Sequence, residues 1–156
     1  MSSSVFKQHD HKHCIQEALD QAVLLCEQRG VRLTAIRKQV LELIWQNHKP
    51  LGAYDLLDML SSDQQRVAPP TVYRALDFLQ ENNLIHRINS LNAFIGCCSP
   101  EHGHEGVFLI CQQCGMTQEI ESPQVAMAIE QHANKNQFKV SAQTVEVTGI
   151  CPNCRD

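Results

Sequence analysis

Apolar residues in the first eighty positions recur with the spacing of amphipathic helices. The stripes consist of Ile15, Leu19, Ala22, Val23 and Cys26, then Ile36, Val40, Leu43 and Ile44 behind a Thr34 cap, then Leu56, Leu57 and Leu60. A fourth helix is predicted to begin at Pro69, because the first N–H groups of a helix have no partner and proline is tolerated there. The pattern therefore predicts four short helices with tight breaks between them.

Behind the fourth predicted helix the apolar period changes to two. Residues 84–88 and 93–97 alternate in this way on either side of a polar turn at 89–92, which predicts a β-hairpin. If the hairpin folds about that turn, Ile88 faces Ala93 and His86 faces Ile95. Helices followed directly by a hairpin are typical of a winged helix-turn-helix, a DNA-binding architecture.

The rest of the chain predicts a second, smaller unit. The polar residues 99–106 indicate a hinge, and strands at 107–110, 116–120 and 138–147 are predicted around a helix near 123–136. The fold class is therefore α+β, a winged helix-turn-helix followed by a small α+β domain. We predict a DNA-binding domain at 1–96 with residues 1–13 disordered, a hinge at 97–105 and a C-terminal domain at 106–156.

The fourth predicted helix has the pattern of a DNA-reading helix. With Val72 at the centre of its buried stripe, Tyr73, Arg74 and Asp77 point outward. Arg74 could reach a guanine edge or a phosphate, and Tyr73 could contact a thymine methyl or the backbone. The alternative is an ordinary surface Tyr-Arg pair, which this segment alone leaves open.

The charge distribution adds modest support for nucleic-acid binding. The net charge is −4, but residues 29–74 hold seven Lys and Arg against four Asp and Glu, a local excess of +3. Such an excess is often no more than a solvated face, so it does not decide the matter alone. We include Arg32, from this patch, and Thr71, at the start of the fourth helix, in the predicted DNA-binding set with Tyr73 and Arg74.

The eight cysteines predict metal binding. The first residues lack the apolar core of a secretory signal, so we expect a cytoplasmic protein whose paired cysteines are metal ligands before they are disulfides. The chain contains two CxxC motifs, formed by Cys111, Cys114, Cys151 and Cys154. Four thiolates with this spacing suit one tetrahedral Zn²⁺ with no open position, so the predicted role is structural.

A second group of possible ligands surrounds the hinge. Its members are His86, Cys97, Cys98, His102, His104 and Glu119. In the predicted hairpin His86 and Cys97 are diagonal neighbours on one face, and His104 and Glu119 could complete a tetrahedron. Metal bound there would join the two halves of the chain, as a sensor requires. The alternative for each residue is an ordinary solvated side chain.

Several motifs together resemble the ferric uptake regulator family. They are Arg32-Leu33-Thr34-Ala35-Ile36-Arg37, Ala53-Tyr54-Asp55-Leu56-Leu57, the run from Pro69 to Leu79 with its Thr71-Val72-Tyr73-Arg74-Ala75-Leu76 core, and the paired CxxC motifs. The resemblance covers about residues 15–154. Within that family, the chain is similar above all to the zinc-sensing members.

The resemblance implies a dimeric transcriptional repressor that is not an enzyme. Its C-terminal domain would form the homodimer, and each chain would bind two zinc ions, one structural and one regulatory. The regulatory ligands would be His86, Cys97, His104 and Glu119, and Tyr54 with Arg74 would contact bases. The zinc-loaded dimer would bind A·T-rich pseudo-palindromic operators of zinc-uptake genes, with no membrane association.

Some residues depart from this pattern and leave alternatives open. An iron- or peroxide-responsive sibling is the alternative function, but Gln143 stands where iron-type members carry a histidine, and the Cys97 thiolate favours zinc. A zinc deaminase is a further alternative, yet its H-x-E and P-C-x-x-C elements do not match here. Cys98 and His102 have no assigned role. The tract His9, His11, His13 and Cys14 could bind metal or belong to a disordered tail.

Overall fold

The computed structural model describes residues 4–6, 10–62, 65–102 and 106–155. The helices of this part of the chain are α1 His11–Arg29, α2 Ala35–Trp45, α3 Ala53–Leu60, α4 Pro69–Glu81 and α5 Pro123–Lys135. The strands are β1 Ile85–Ile88, β2 Ala93–Gly96, β3 Gly106–Cys111, β4 Thr117–Ile120 and β5 Thr144–Gly149. The predicted α+β class and the predicted order of elements are confirmed.

Helices α1 to α4 pack around one apolar core, which the predicted stripes largely supply. Helix α1 begins where the Asp10 carboxylate accepts the N–H groups of Lys12 and His13, and it ends at Gly30, whose φ of 66° suits glycine. The helix therefore starts inside the segment predicted to be disordered, and that prediction is wrong for residues 10–13.

No helix in the described ranges is long and apolar enough to cross a bilayer.

The hairpin of β1 and β2, called here the wing hairpin, has the predicted register. Ile88 pairs with Ala93 and His86 pairs with Ile95. Leu51, between α2 and α3, adds a bridge to the hairpin through two backbone hydrogen bonds with Phe94, of 2.9 and 2.8 Å. The hairpin is thereby tied to the helical core directly behind α4.

The C-terminal half is a three-stranded sheet in the order β4-β3-β5. Strands β3 and β4 are antiparallel, whereas β3 and β5 are parallel, and α5 provides the crossover between β4 and β5. The strand predicted at 138–147 begins only at Thr144, because Thr144 pairs with Gly106, where β3 begins. Among the residues that the structure describes, no strand pairs with positions 138–143.

One face of the sheet receives the wing hairpin. Ile88 and Ile95 of the hairpin form a small buried cluster with Phe108 and Ile110 of β3. Loop contacts add to this packing, including a 2.9 Å hydrogen bond from the Thr117 N–H to a backbone carbonyl of the helical half. The two halves therefore share a packed boundary as well as a covalent hinge.

The opposite face of the sheet contacts the start of the chain. The Ser4 hydroxyl donates to the Gln118 side chain at 2.9 Å, and the Asn153 amide donates to the Phe6 carbonyl at 3.0 Å. Asn153 belongs to the second CxxC motif, so the described residues 4–6 lie against the cysteine-rich end of the C-terminal half.

Candidate metal centres and nucleic-acid interface

The four cysteines of the CxxC motifs converge at one end of the sheet. Cys111 is the last residue of β3 and is paired with Gly149 of β5, which brings the segment after β5 beside the segment after β3. The four Sγ atoms lie within 4.8 Å of one another, and those of Cys114 and Cys151 are 3.7 Å apart. A positive φ of 77° at Gly115 closes the first motif. The parallel pairing of β3 and β5 therefore positions both motifs.

The chemistry of these four donors fits a zinc ion. Backbone N–H groups of Cys114 and Cys151 approach the Cys111 sulfur and lower the pKa of that thiol to about 6. The hydrogen bond with the Cys151 thiol, together with burial, raises the pKa of Cys154 to about 12. A zinc ion would replace the protons shared among these sulfurs, and four thiolates in a closed arrangement are typical of structural zinc sites.

A second group of ligand atoms lies between the wing hairpin and the sheet. His86 on β1, Cys97 just after β2 and Glu119 on β4 have ligand atoms within 4.8 Å of one another. The His86 Nε2 atom is 3.0 Å from the Glu119 Oε1 atom, and the Glu119 side chain is only 2% exposed. Each element contributes one donor, so an ion held here would join the two halves of the chain.

The surroundings of this second group favour a bound cation. Burial, with the nearby Glu119 carboxylate, raises the pKa of the Cys97 thiol. The backbone N–H of Cys98 donates to Glu119 Oε2 at 3.2 Å, which holds that carboxylate beside the hairpin. A half-buried imidazole with a buried thiol and a buried carboxylate forms a mixed donor set of the kind that zinc accepts.

The structure brings together three of the four predicted regulatory ligands. His104, the fourth, lies outside the described residues. The side chains of Cys98 and His102 are not in either group of converging ligand atoms within the described ranges. The Cys98 thiol nevertheless lies beside Glu119, and burial raises its pKa to about 12.

The histidine tract at the start of the chain is partly placed. His9 lies outside the described residues, whereas His11 and His13 begin α1. His13 contacts Glu17 one turn later at 3.1 Å, and the His11 ring lies 4.6 Å from the ring of His48. Among the residues that the structure describes, the tract contributes to neither cluster of three or more ligands.

The predicted DNA-contacting side chains are on the surface of the helical half. Tyr73, Arg74 and Asp77 of α4 are exposed, whereas Val72 is buried, as the helical periodicity predicts. Tyr54, at the start of α3, is 79% exposed. Arg32 is exposed and Thr71 is half-buried.

Sequence reasoning missed one residue at the boundary between the halves. Glu146 of β5 accepts a hydrogen bond from the Asn89 N–H at 2.6 Å and from the Ser90 N–H at 3.3 Å, both in the turn of the wing hairpin. A single charged residue in a strand of valine, threonine and glycine is the only signal in the sequence, and it does not indicate which loop the carboxylate contacts.

Comparison with known proteins gives consistent matches along most of the chain. The model of the ferric uptake regulator family matches residues 28–148. The zinc uptake regulation protein of Escherichia coli (strain K12) is 38% identical over 144 residues, which are 92% of this chain and 84% of that protein. A solved structure of a zinc uptake regulator complexed with zinc and DNA has a TM-score of 0.84 at 38% identity, covering 90% of this chain and 94% of its own.

Two forms of another solved protein differ in their likeness to this chain. Holo XcZur is 43% identical, covers 87% of this chain and 95% of its own, and gives a TM-score of 0.80. Apo XcZur is 40% identical, covers 91% and 98%, and gives a TM-score of only 0.55. Because identity and coverage are similar in both comparisons, the lower score reflects a different arrangement. The structure described above therefore resembles the holo form.

Proposed function

The chain belongs to the ferric uptake regulator family, and we propose that it is a zinc-responsive transcriptional repressor that binds operator DNA of zinc-uptake genes as a dimer. The observation that carries this proposal is the convergence of His86, Cys97 and Glu119 from both halves of the chain. Metal at that position would be bound only when the wing hairpin lies against the sheet.

Zinc is the metal that we assign to both sites. The first site, Cys111, Cys114, Cys151 and Cys154, would be structural, and the second, His86, Cys97, Glu119 and His104, would be regulatory. Thiolate and imidazole donors favour zinc over the oxygen-rich donors of an iron site. The similarity to relatives named for zinc uptake supports the same assignment. Two zinc ions per chain are therefore expected.

The regulatory ligands would act by limiting how far the helical half can swing about the hinge. Ordering the two halves costs conformational entropy. If metal binding orders them first, the loss of entropy accompanies metal binding, and DNA then binds a protein that is already ordered. Coupling between two such sites is typically about 1–3 kcal/mol. The small apolar cluster of Ile88, Ile95, Phe108 and Ile110 supports the same arrangement.

DNA would be contacted by the helical half, through Tyr73, Arg74 and Thr71 on α4, Tyr54 on α3 and Arg32 before α2. We assign residues 1–96 to the DNA-binding domain, 97–105 to the hinge and 106–156 to the dimerisation domain. The likeness to a zinc- and DNA-bound relative supports this assignment. We also propose that the operators are A·T-rich and pseudo-palindromic. The same proposal includes a cytoplasmic location, where a bacterial-type regulator would meet DNA.

A second copy of the chain would cover the exposed apolar side chains of the C-terminal half. Helix α5 has no buried residue, and Met127, Phe138, Val147 and Ile150 are 67%, 64%, 47% and 45% exposed. Strand β5 is at the edge of its sheet. An edge strand and a group of exposed apolar side chains are features of an interface between subunits.

Metal analysis combined with a free-zinc titration of DNA binding tests the proposal. The DNA is a duplex selected from a randomised pool by the zinc-loaded protein. We expect two zinc ions per chain, one of which a chelator removes together with DNA binding while the dimer persists. Restoration of binding by Fe²⁺ and not by Zn²⁺ would favour the iron-responsive alternative. Hydrolysis of a nucleobase amine by the purified protein would instead indicate an enzyme.

A further inference from the structure

One row of residues across the sheet meets the wing hairpin at both of its ends. Glu119 of β4 and Glu146 of β5 are both paired with Phe108 of β3, so the three side chains lie side by side on one face. The Phe108 ring is in edge contact with the His86 ring, with centroids 5.2 Å apart. The two carboxylates therefore stand on either side of the apolar contact between hairpin and sheet.

The hairpin spans this row from end to end. Neighbouring strands are about 4.8 Å apart, so Glu119 and Glu146 are separated by roughly 10 Å across the sheet. Three residues of a strand also cover about 10 Å, which is the separation of His86 from Asn89 along the hairpin. The spacing of the two carboxylates thus matches the spacing of the two hairpin positions that they contact.

Glu146 holds the turn of the hairpin through several hydrogen bonds. Its Oε1 atom accepts the Asn89 N–H at 2.6 Å, and both of its oxygens lie 3.3 Å from the Ser90 nitrogen. The Ser90 hydroxyl also donates to the carboxylate, and these bonds lower the pKa of Glu146. Hydrogen bonds to an ionised group are the stronger class, so the contact is more than incidental packing.

We propose that Glu146 is a positioning residue that, opposite the zinc ligands, fixes the second end of the wing hairpin on the sheet. A hairpin held at one end by His86 and Cys97 could still pivot about the metal. A second attachment at the turn removes that pivot and sets the angle at which α4 is presented. The inference rests on the proposed function, because the quantity it explains is DNA affinity.

Amide hydrogen exchange measured by NMR tests the contact without DNA. In the zinc-loaded protein we expect slow exchange of the Asn89 and Ser90 amides, and faster exchange in Glu146→Gln, because a neutral amide group replaces the carboxylate. Glu27→Gln, which removes a carboxylate from the exposed end of α1, should leave both amides slow. Equal exchange of these amides in wild type and Glu146→Gln would overturn the inference.

DNA and zinc binding test the consequence of the contact. For Glu146→Gln we expect about threefold to tenfold weaker binding to the selected duplex at saturating zinc. Zinc affinity at the regulatory site should fall by a similar factor, since coupling is reciprocal. Ser90 lies in an exposed turn, so Ser90→Ala should fold normally and show a smaller loss of DNA affinity. The double variant should lose less binding free energy than the sum of the two single losses.

The possible failures are distinguishable. If wild type binds DNA only with zinc while Glu146→Gln matches it in both affinities, the role of Glu146 is overturned and the proposed function stands. If wild type shows no zinc-dependent DNA binding, the proposed function fails whatever the amides show. Additive losses in Glu146→Gln and Ser90→Ala would also overturn the inference, because they would mean that the two side chains act independently.

Discussion

The Nε2 atom of His86 lies 3.0 Å from the Oε1 atom of Glu119, although one residue belongs to the wing hairpin and the other to the sheet of the C-terminal half. This contact crosses the boundary that a metal-responsive repressor must control.

Replacing Glu119 with glutamine should weaken regulatory zinc binding. The side chain keeps its size but loses the charge that a cation would neutralise. Substitution of a residue that only orients a metal ligand typically lowers metal affinity about tenfold to a hundredfold, and we expect at least that loss for a direct ligand. Competition with a chromophoric chelator measures the change. Glu121→Gln, at an exposed position next to the same strand, is the control, and equal affinities in the two variants would contradict the ligand assignment.

Cys97→Ser and His104→Ala should abolish zinc-dependent DNA binding and leave a folded dimer. Each removes one proposed ligand of the regulatory site and none of the four structural cysteines. Duplex binding across a free-zinc titration, with sedimentation to confirm the dimer, measures both properties. Unchanged zinc dependence in either variant would remove that residue from the ligand set.

Cys114→Ser should lose the structural zinc and the stable C-terminal half together. Structural zinc sites contribute roughly 10–16 kcal/mol in small zinc-binding peptides, which is comparable with the roughly 5–15 kcal/mol that stabilises a whole domain. Thermal unfolding and metal content are the measurements. Cys98→Ser, which changes a cysteine outside this group of four, should retain both, and normal unfolding of Cys114→Ser would show that the site is not structural.

Arg74→Ala should weaken DNA binding without altering zinc content. A bidentate arginine contact to guanine is worth about 1–3 kcal/mol, and a phosphate contact would instead reduce the salt dependence of binding. Affinity measured at several salt concentrations separates these two roles. Lys139→Ala removes an equal charge from the C-terminal half and should have little effect. A matching loss in both variants would mean that only overall charge matters.

Charging the exposed apolar surface of the C-terminal half should weaken the dimer. Burial of a large apolar side chain contributes about 1.5–3 kcal/mol, and each substitution acts twice in a symmetric dimer. Met127→Glu combined with Phe138→Glu is therefore expected to shift sedimentation toward the monomer. Leu24→Glu changes a similarly exposed side chain on α1 and should remain dimeric. If all variants sediment alike, the subunits associate through another surface.

Local patterns along the chain were sufficient to predict most elements, the four cysteines that converge and three of the side chains that meet at the hinge. Helical stripes predicted which face of α4 is exposed, because that period depends only on backbone geometry. The turn at 89–92 predicted the register of the hairpin, and hence that His86 and Cys97 share a face. Two CxxC motifs predicted a four-cysteine site, because two residues between cysteines let both sulfurs reach one ion.

The tertiary structure alone decided how distant segments of the chain contact one another. The start of β5 at Thr144 depends on where β3 begins, and the partner of Glu146 depends on how the hairpin lies across the sheet. Neither relation produces a periodic pattern in the sequence. The register within one hairpin is set by its own turn. The docking of two units is set instead by the packing of distant side chains, such as Ile88 on Phe108. The amino-acid pattern thus determined the elements and the candidate metal-binding side chains, and the packed boundary determined which of those side chains meet.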